Sequence, residues 1–301
     1  MLGALLVLVV FAAVSWRATK AFGWMHAWLL LLGLALPFVG DDGAVWIVVA
    51  AIGPTLLDLV ALAFLRRARH GLPSPALRRL VRASGAWWGR PGWVANGIRL
   101  EAVALRAAGR DDDLRRFLGR VRGRHVRAVV AAELALLDGD RPAAIDVART
   151  ALPTAAPGVR QWLAAQAVAA AGELGDVDTL LRVAGELTVP ELRMTGLLLA
   201  ASAWLGRIDD VDAIVERTGE RSAFATRWRA VAAFAGGDAA LGRRLTAAID
   251  PADNRLLAQV KARLESNPPP PFDPRALSTP ARAGFARLQE ALAAGASTTG
   301  L

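Results

Sequence analysis

The stretch LLDGDRPAAIDVARTAL (residues 136–152) contains the end of one amphipathic helix, a tight turn and the start of a second helix. Gly139 follows an apolar run, where a glycine ends a helix by adopting the left-handed backbone conformation. Asp140 comes next, and its carboxylate can accept hydrogen bonds from the first amide groups of the following helix. The stretch therefore predicts two helices joined by a turn.

Similar turns recur along the chain, at AAGRDDDLRRFLGRV (107–121), ELGDVDTLLRVAGEL (173–187), WLGRIDDVDAIVERT (204–218) and FAGGDAALGRRLTAAI (234–249). Their glycines, with Gly139, are spaced by 30, 36, 31 and 31 residues. Between them, apolar residues recur at i, i+3, i+4 and i+7, and no run alternates as a β-strand would. The pattern predicts an all-α fold in which helix pairs stack into an α-solenoid over residues 92–266.

These repeats resemble tetratricopeptide repeats. Ala144 and Ala151 occupy positions where that family has small residues, and Gly139-Asp140 matches its turn. In the other blocks, larger apolar residues hold the corresponding positions, namely Leu114, Val121, Leu180 and Leu187. The resemblance covers about residues 92–265 and implies a concave face that binds a peptide or protein partner. A spacer or a dimerisation element is the alternative interpretation.

The first 65 residues contain three apolar segments, Leu2–Trp16, Ala21–Val39 and Ala44–Leu65. A helix of about 20 apolar residues crosses a bilayer core, so we expect residues 1–65 to form a membrane anchor of three transmembrane helices. Arg17 and Lys20 lie in the first loop, and the exit after Leu65 is strongly basic. Because positive loops remain inside, we expect an outer amino terminus and residues 66–301 in the cytoplasm of a bacterium, at its inner membrane.

The net charge of +9 is concentrated in residues 66–127, which carry +12, against −1 before them and −2 after them. We expect residues 66–91 to form a basic juxtamembrane segment with a surface helix from Pro75 to Ala83. The side chains expected to contact anionic lipid are Arg66, Arg67, Arg69, Arg78, Arg79, Arg82, Trp87 and Trp88. Alternatively, these arginines only set the membrane topology and begin the first helix of the next domain. Nucleic acid is not expected as a partner, because the membrane accounts for the charge.

Asp58 lies inside the third apolar segment and is a candidate polar site in the membrane. The alternative is that it pairs with Arg66 or Arg67 near the basic exit. The three histidines, His26, His70 and His125, have no second ligand at metal spacing, and the chain has no cysteine. We therefore expect no metal site, no cofactor and no enzymatic activity.

The tail, residues 267–301, begins with the proline-rich spacer NPPPPFDP and ends in a helix opened by Thr279-Pro280. We expect Phe285, Leu288 and Leu292 to share one face of that helix. Together with the membrane segments and repeats, the tail sequence LSTPARAGFARLQEAL resembles the amino-terminal region of some bacterial rhomboid-family proteins. The catalytic membrane helices of that family are not matched here.

The sequence thus favours a membrane-anchored scaffold or adaptor that binds a protein partner at the cytoplasmic membrane face. The rhomboid resemblance implies an alternative, a non-catalytic regulatory region of an intramembrane serine protease. A third interpretation is a transporter or channel subunit that uses Asp58.

Overall fold

The fold is known from a computed structural model, which describes residues 91–218, 223–249 and 272–295 together with the single positions 31, 32, 43, 46, 47, 49, 75, 78, 79, 82 and 261. The described residues up to Ile98 belong to one compact unit, and those from Arg99 onward belong to a second.

Throughout the described ranges the chain is helical, which confirms the all-α expectation. The helices are α1 (Pro91–Ala107), α2 (Asp111–Arg120), α3 (Arg127–Leu137), α4 (Arg141–Ala151), α5 (Pro157–Leu174), α6 (Val177–Gly185), α7 (Val189–Leu192), α8 (Thr195–Trp204), α9 (Ile208–Thr218), α10 (Ala223–Ala235), α11 (Ala239–Ala247) and α12 (Thr279–Ala294). Short 3₁₀ turns lie at Arg124–Val126, Leu152–Thr154 and Pro274–Ala276.

The five predicted turns are all present. Their glycines have positive φ angles of 66°, 80°, 73°, 69° and 88° at positions 109, 139, 175, 206 and 237. In three of the turns the next residue is an aspartate that caps the following helix, at Asp140, Asp176 and Asp238. Their carboxylates accept hydrogen bonds of 3.0, 2.9 and 2.9 Å from the backbone amides three residues later.

In the remaining two turns an arginine, Arg110 or Arg207, occupies the position that aspartate holds elsewhere. Each arginine pairs with a carboxylate one turn into the next helix, Arg110 with Asp113 at 2.6 Å and Arg207 with Asp210. The acidic residue still lies in the first helical turn, where its negative charge interacts favourably with the positive end of the helix dipole.

Within the second unit, each helix packs against the helix that follows it, from α2 to α6 and again from α8 to α11. The first helices of successive pairs also touch, with α3 against α5, α5 against α8 and α8 against α10. The wider spacing of 36 residues between Gly139 and Gly175 arises because α5 has 18 residues, whereas α3 has 11 and α8 has 10.

The core of this unit consists mainly of leucine and alanine. Small residues let helices approach closely at several points, one of which is the α5–α8 contact. A Cβ atom on Gly172 of α5 would lie 2.2 Å from the indole of Trp204 at the end of α8. The glycine is therefore what allows the large ring to remain buried between the two helices.

Among the described residues, no helix is both long and apolar enough to cross a membrane. The three predicted membrane segments fall outside them except for single helical positions in the second and third. At these positions Leu31, Trp46 and Val49 are exposed by 60%, 73% and 51%. Asp58 lies outside the described residues.

Replacing the capping aspartates with alanine should lower the free energy of unfolding by about 1 kcal/mol at each site, because an amide of the next helix loses its partner. The variants are Asp140→Ala, Asp176→Ala and Asp238→Ala, measured by urea titration with far-ultraviolet circular dichroism. Asparagine keeps the acceptor oxygen, so the matched Asp→Asn variants should unfold near the wild-type midpoint. Equal midpoints for the alanine and asparagine variants would contradict the capping role.

Candidate interaction surfaces

The carboxy-terminal helix α12 packs on α6, and this is the most extensive helix–helix contact among the described residues. It also touches the short helix α7. The buried stripe of α12 consists of Ala281, Gly284, Leu288 and Ala291. Three of these four residues are small, so the α12 backbone comes close to that of α6.

The closest approach is at Gly284. A Cβ atom there would lie 1.8 Å from the carbonyl oxygen of Leu181, a distance that no real Cβ atom can adopt. On the opposing helix, a Cβ atom on Gly185 would lie 3.2 Å from the Cα atom of Gly284. The two helices therefore cross where both have glycine, and neither position can accept a side chain without movement.

Polar groups of the repeat helices hold both ends of α12. At its beginning, the Ser278 amide donates a 3.1 Å hydrogen bond to Oδ1 of Asp178. At its end, Arg217 donates to the Leu292 carbonyl at 2.7 Å, and Arg193 donates to the Gly295 carbonyl at 2.5 Å. A carboxylate at the amino end and arginines at the carboxyl end both complement the helix dipole.

The predicted face of α12 is shifted in the structure. Leu288 is buried as expected, but Phe285 and Leu292 are only half-buried. Phe285 lies at the edge of the contact, 5.2 Å from the ring of Phe272 and 5.5 Å from the guanidinium carbon of Arg207. A prediction from hydrophobicity alone places the larger side chains on the buried face. The close approach of α12 to α6 instead requires the glycine and alanines there.

Arginines also satisfy the free carbonyl groups at the end of α6. Arg160 of α5 donates to the Glu186 carbonyl at 2.7 Å. Arg287 of α12 donates to the carbonyls of Gly185 and Leu187, the second at 3.1 Å. The last turn of α6 is therefore capped partly by α12, so the two helices stabilise each other.

An open pocket of about 330 Å³ lies beside this turn, lined by Arg149, Leu152, Pro153, Arg160 and Glu186. Arg149 lies 3.7 Å from the Glu186 carboxylate, and Arg160 lies 3.2 Å from that of Glu191. Since both cations already have carboxylate partners, the pocket has no unpaired charge with which to select an anion.

A buried ion cluster connects α1, α3 and α5. Glu133 is fully buried, and its carboxylate lies 2.7 Å from Arg99 and 2.9 Å from Arg106. Gln166 donates a further hydrogen bond of 2.8 Å to the same carboxylate. The guanidinium group of Arg99 also lies over the ring of Trp162, at 5.7 Å from its centroid.

The ionised state of Glu133 depends on these partners. Burial by itself would raise the pKa of the carboxyl group, but the charges of Arg99 and Arg106 and the hydrogen bond from Gln166 outweigh it and leave the pKa below its ordinary value. A fully buried carboxylate with two arginine partners and a glutamine donor is suited to holding three helices together. Sequence reasoning missed this cluster, because Glu133 is one acidic residue among the many in the helices.

Among the arginines predicted to contact lipid, three are described. Arg78 is buried, Arg79 is exposed and Arg82 is half-buried. The other predicted contacts, Arg66, Arg67, Arg69, Trp87 and Trp88, lie outside the described residues, as do His26 and His70. His125 is exposed in a 3₁₀ turn, and no group of three or more potential metal ligands is found in the described part of the chain.

The attachment of α12 should weaken in acid. The hydrogen bond from the Ser278 side chain and the ion pair with Arg182 hold the pKa of Asp178 below its ordinary value, despite some desolvation. The stability that this carboxylate contributes is therefore present above its unfolded pKa of about 3.9 and lost as the pH falls through the lower folded value. Amide hydrogen exchange in residues 279–292, corrected for the intrinsic rate, should therefore show faster opening of α12 as the pH falls below the unfolded pKa. The Asp178→Asn variant should remove this acid dependence, and an unchanged profile in that variant would contradict it.

Comparison of the chain with protein-family models, with curated proteins and with solved structures finds no match in any of the three.

Proposed function

We propose that this chain is a membrane-anchored helical-repeat scaffold or adaptor whose repeats form a tetratricopeptide-like α-solenoid. In this proposal the solenoid binds a protein partner at the cytoplasmic face of a bacterial inner membrane. The observation that carries it is the regular row in which α3, α5, α8 and α10 touch one another in sequence. Stacked pairs of this kind create an extended surface suited to binding a peptide or protein.

The turns support the same proposal. Each of the five glycines adopts the left-handed conformation, and each is followed by a helix whose first turn has a cap or an acidic residue. Within this frame Ala144 is fully buried where the tetratricopeptide family has a small residue, and Leu114 and Leu180 are fully buried at the corresponding positions. A repeated local geometry is what stacking of successive units requires.

Membrane attachment is supported by the apolar amino-terminal sequence and by the exposed side chains in it. Trp46 and Val49 are three residues apart, so in a helix they lie on the same face. Both are more than half exposed, and so is Leu31. Large apolar side chains that face outward are stabilised by contact with lipid. The rhomboid alternative rests on the sequence resemblance, and no contact of the described residues favours it.

Reporter fusions to the full chain test the membrane part of the proposal. A reporter after Asp42 should be active outside the cytoplasm, whereas one after Leu301 should be active inside it. A carboxy-terminal reporter that is active only outside would contradict the cytoplasmic orientation. Recovery of the full chain from the soluble fraction would contradict the anchor.

Affinity capture tests the partner. The tagged full chain is extracted from bacterial membranes in mild detergent, and proteins that copurify are compared with those of a Gly206→Val variant. That substitution disrupts the turn between α8 and α9, so it should abolish specific capture if the stacked repeats form the binding surface. Identical capture by the two chains, or no specific partner with either, would count against the scaffold function.

A further inference from the structure

The contact between α12 and the repeats has the features of a binding site for a helix. We define the helix site as α6 and α7 together with the side chains of Asp178, Arg193 and Arg217. It contacts one buried stripe of α12 and both of its ends. Outside this stripe, Arg282 and Glu290 of α12 are exposed, whereas Phe285 and Leu292 are half-buried.

The helix site specifies the length and the direction of its occupant. Asp178 interacts with the residue that caps the beginning of α12, whereas Arg193 and Arg217 bind carbonyl groups at its end. The helix between these points has 16 residues, or about 24 Å at 1.5 Å per residue. A helix in the opposite direction would place its carbonyl groups beside the carboxylate and its amide groups beside the arginines.

The helix site also selects a pattern of side-chain sizes. The occupant has Ala281 and Gly284 three residues apart, then Leu288 and Ala291 in the following two turns. The crossing at Leu181 leaves no room for any Cβ atom at the second of these positions. A suitable helix therefore has a small residue, glycine, leucine and a small residue at positions i, i+3, i+7 and i+10.

Residues 250–271, which include four consecutive prolines, separate this helix from the last repeat. α12 packs on α6 and α7, and its hydrogen bond from Ser278 to Asp178 spans 100 residues of sequence, so α12 binds the site as a ligand from a distant part of the same chain. Because ligand and site belong to one chain, the effective concentration of α12 at the site is of about millimolar order. A competing helix at lower concentration would be excluded as long as α12 occupies the site.

We propose that the helix site is a docking site for a four-turn helix of a partner protein, and that α12 is its intramolecular occupant. The partner helix carries the same small–glycine–leucine–small stripe, and its last carbonyl groups bind Arg193 and Arg217. This inference rests on the proposed role as a protein-binding scaffold and names the class of partner. It does not depend on the membrane anchor.

The test uses the full chain and a fluorescent peptide of residues 272–295, with binding followed by anisotropy. Gly284→Leu in the chain should expel its own α12, because a side chain at this position meets the Leu181 carbonyl. The emptied chain should bind the wild-type peptide at least about tenfold more tightly than the wild-type chain does. A matched peptide with Gly284→Leu should not bind. If the Gly284→Leu chain retains wild-type helical content but binds the peptide no better than the wild-type chain, the proposal is wrong.

A second measurement decides the question if the Gly284→Leu chain does not fold. A protease site replaces Pro268–Pro271, and the folded full chain is cleaved there before excess labelled peptide is added. Replacement of the released fragment by the peptide supports a docking site. Permanent retention of the fragment, with no uptake of peptide, shows that α12 is an integral part of the core and overturns the proposal.

A third measurement asks whether a second copy is the occupant. The chain has no cysteine, so Asp178→Cys and Ser278→Cys chains can be mixed and oxidised without competing thiols. We expect no disulfide-linked dimer from the mixture, and an internal disulfide in the double variant. A dimer from the mixture would assign the site to α12 of another copy and overturn the proposal. Because none of these assays involves a membrane, their failure is distinguishable from failure of the anchor.

Discussion

The Glu133→Ala variant should lose about 3 kcal/mol of unfolding free energy, because it leaves two arginines without their carboxylate. Glu133 is fully buried, whereas Arg99 and Arg106 retain 20% and 17% exposure. These arginines can turn partly toward water, so we expect the loss to lie at the lower end of the range for broken buried ion pairs. Urea titration at neutral pH measures it.

The matched control is Asp212→Ala, which breaks the pair between Asp212 and Arg229 in the same unit. Both partners are well exposed there, at 45% and 39%, so the loss should be below about 1 kcal/mol. A triple variant, Arg99→Met, Arg106→Met and Glu133→Leu, should recover most of the stability lost in Glu133→Ala, since no charge remains to be desolvated. Equal losses for Glu133→Ala and Asp212→Ala would show that the cluster does not stabilise the fold.

The cluster should also influence stability in acid. The pKa of Glu133 in the folded chain lies below its ordinary value, so its contribution is present above the unfolded pKa of about 4.3 and disappears as the pH falls through the folded value. The Glu133→Gln variant cannot gain this proton. Its unfolding free energy should therefore fall less steeply than that of the wild type over the same acidic range.

Gly206→Ala should be the most damaging of the turn-glycine substitutions. A residue with a side chain at φ 69° is strained by about 1–2 kcal/mol, and the added Cβ atom would lie 2.7 Å from the amide nitrogen of Gly236. The neighbouring backbone has to move, which adds about 1–3 kcal/mol of overpacking. We expect a total loss of about 2–5 kcal/mol, measured from the urea midpoint and slope.

Gly175→Ala separates these two effects. Gly175 has a similar φ of 73°, but apart from its two neighbours in the chain no residue has a heavy atom within 4 Å of its added Cβ atom. Its loss should therefore be limited to the backbone strain of about 1–2 kcal/mol. Similar losses in the two variants would mean that the close approach of the Gly206 and Gly236 turns is unimportant for stability.

The sequence was sufficient to locate the turns, because their chemistry is local. Each turn has a left-handed glycine after an apolar run. The capping aspartate follows within a few positions and binds an amide three residues later. The structure confirms the left-handed glycine at all five turns and the capping aspartate at three of them. Where Arg110 and Arg207 replace aspartate, the difference is also local, since each binds a carboxylate three residues later.

The ion cluster was not predictable in the same way. Arg99, Glu133 and Gln166 are separated by more than 30 residues along the chain, and nothing in their neighbourhoods distinguishes them from solvent-exposed polar residues. Only the packing of α1, α3 and α5 brings them together. Once Glu133 is buried there, its carboxylate connects the three helices through its arginine and glutamine partners.

The sequence by itself determined that the chain forms helices, where those helices pair and where the apolar amino-terminal segments lie, because periodicity and capping act over one or two turns. The tertiary structure alone decided that α12 returns across a hundred residues to lie on α6. That contact depends on Gly185 and Gly284, whose lack of a side chain carries no hydrophobic signal, and on arginines that bind backbone carbonyl groups. The role of these glycines and of these arginines becomes recognisable only when the two helices lie side by side.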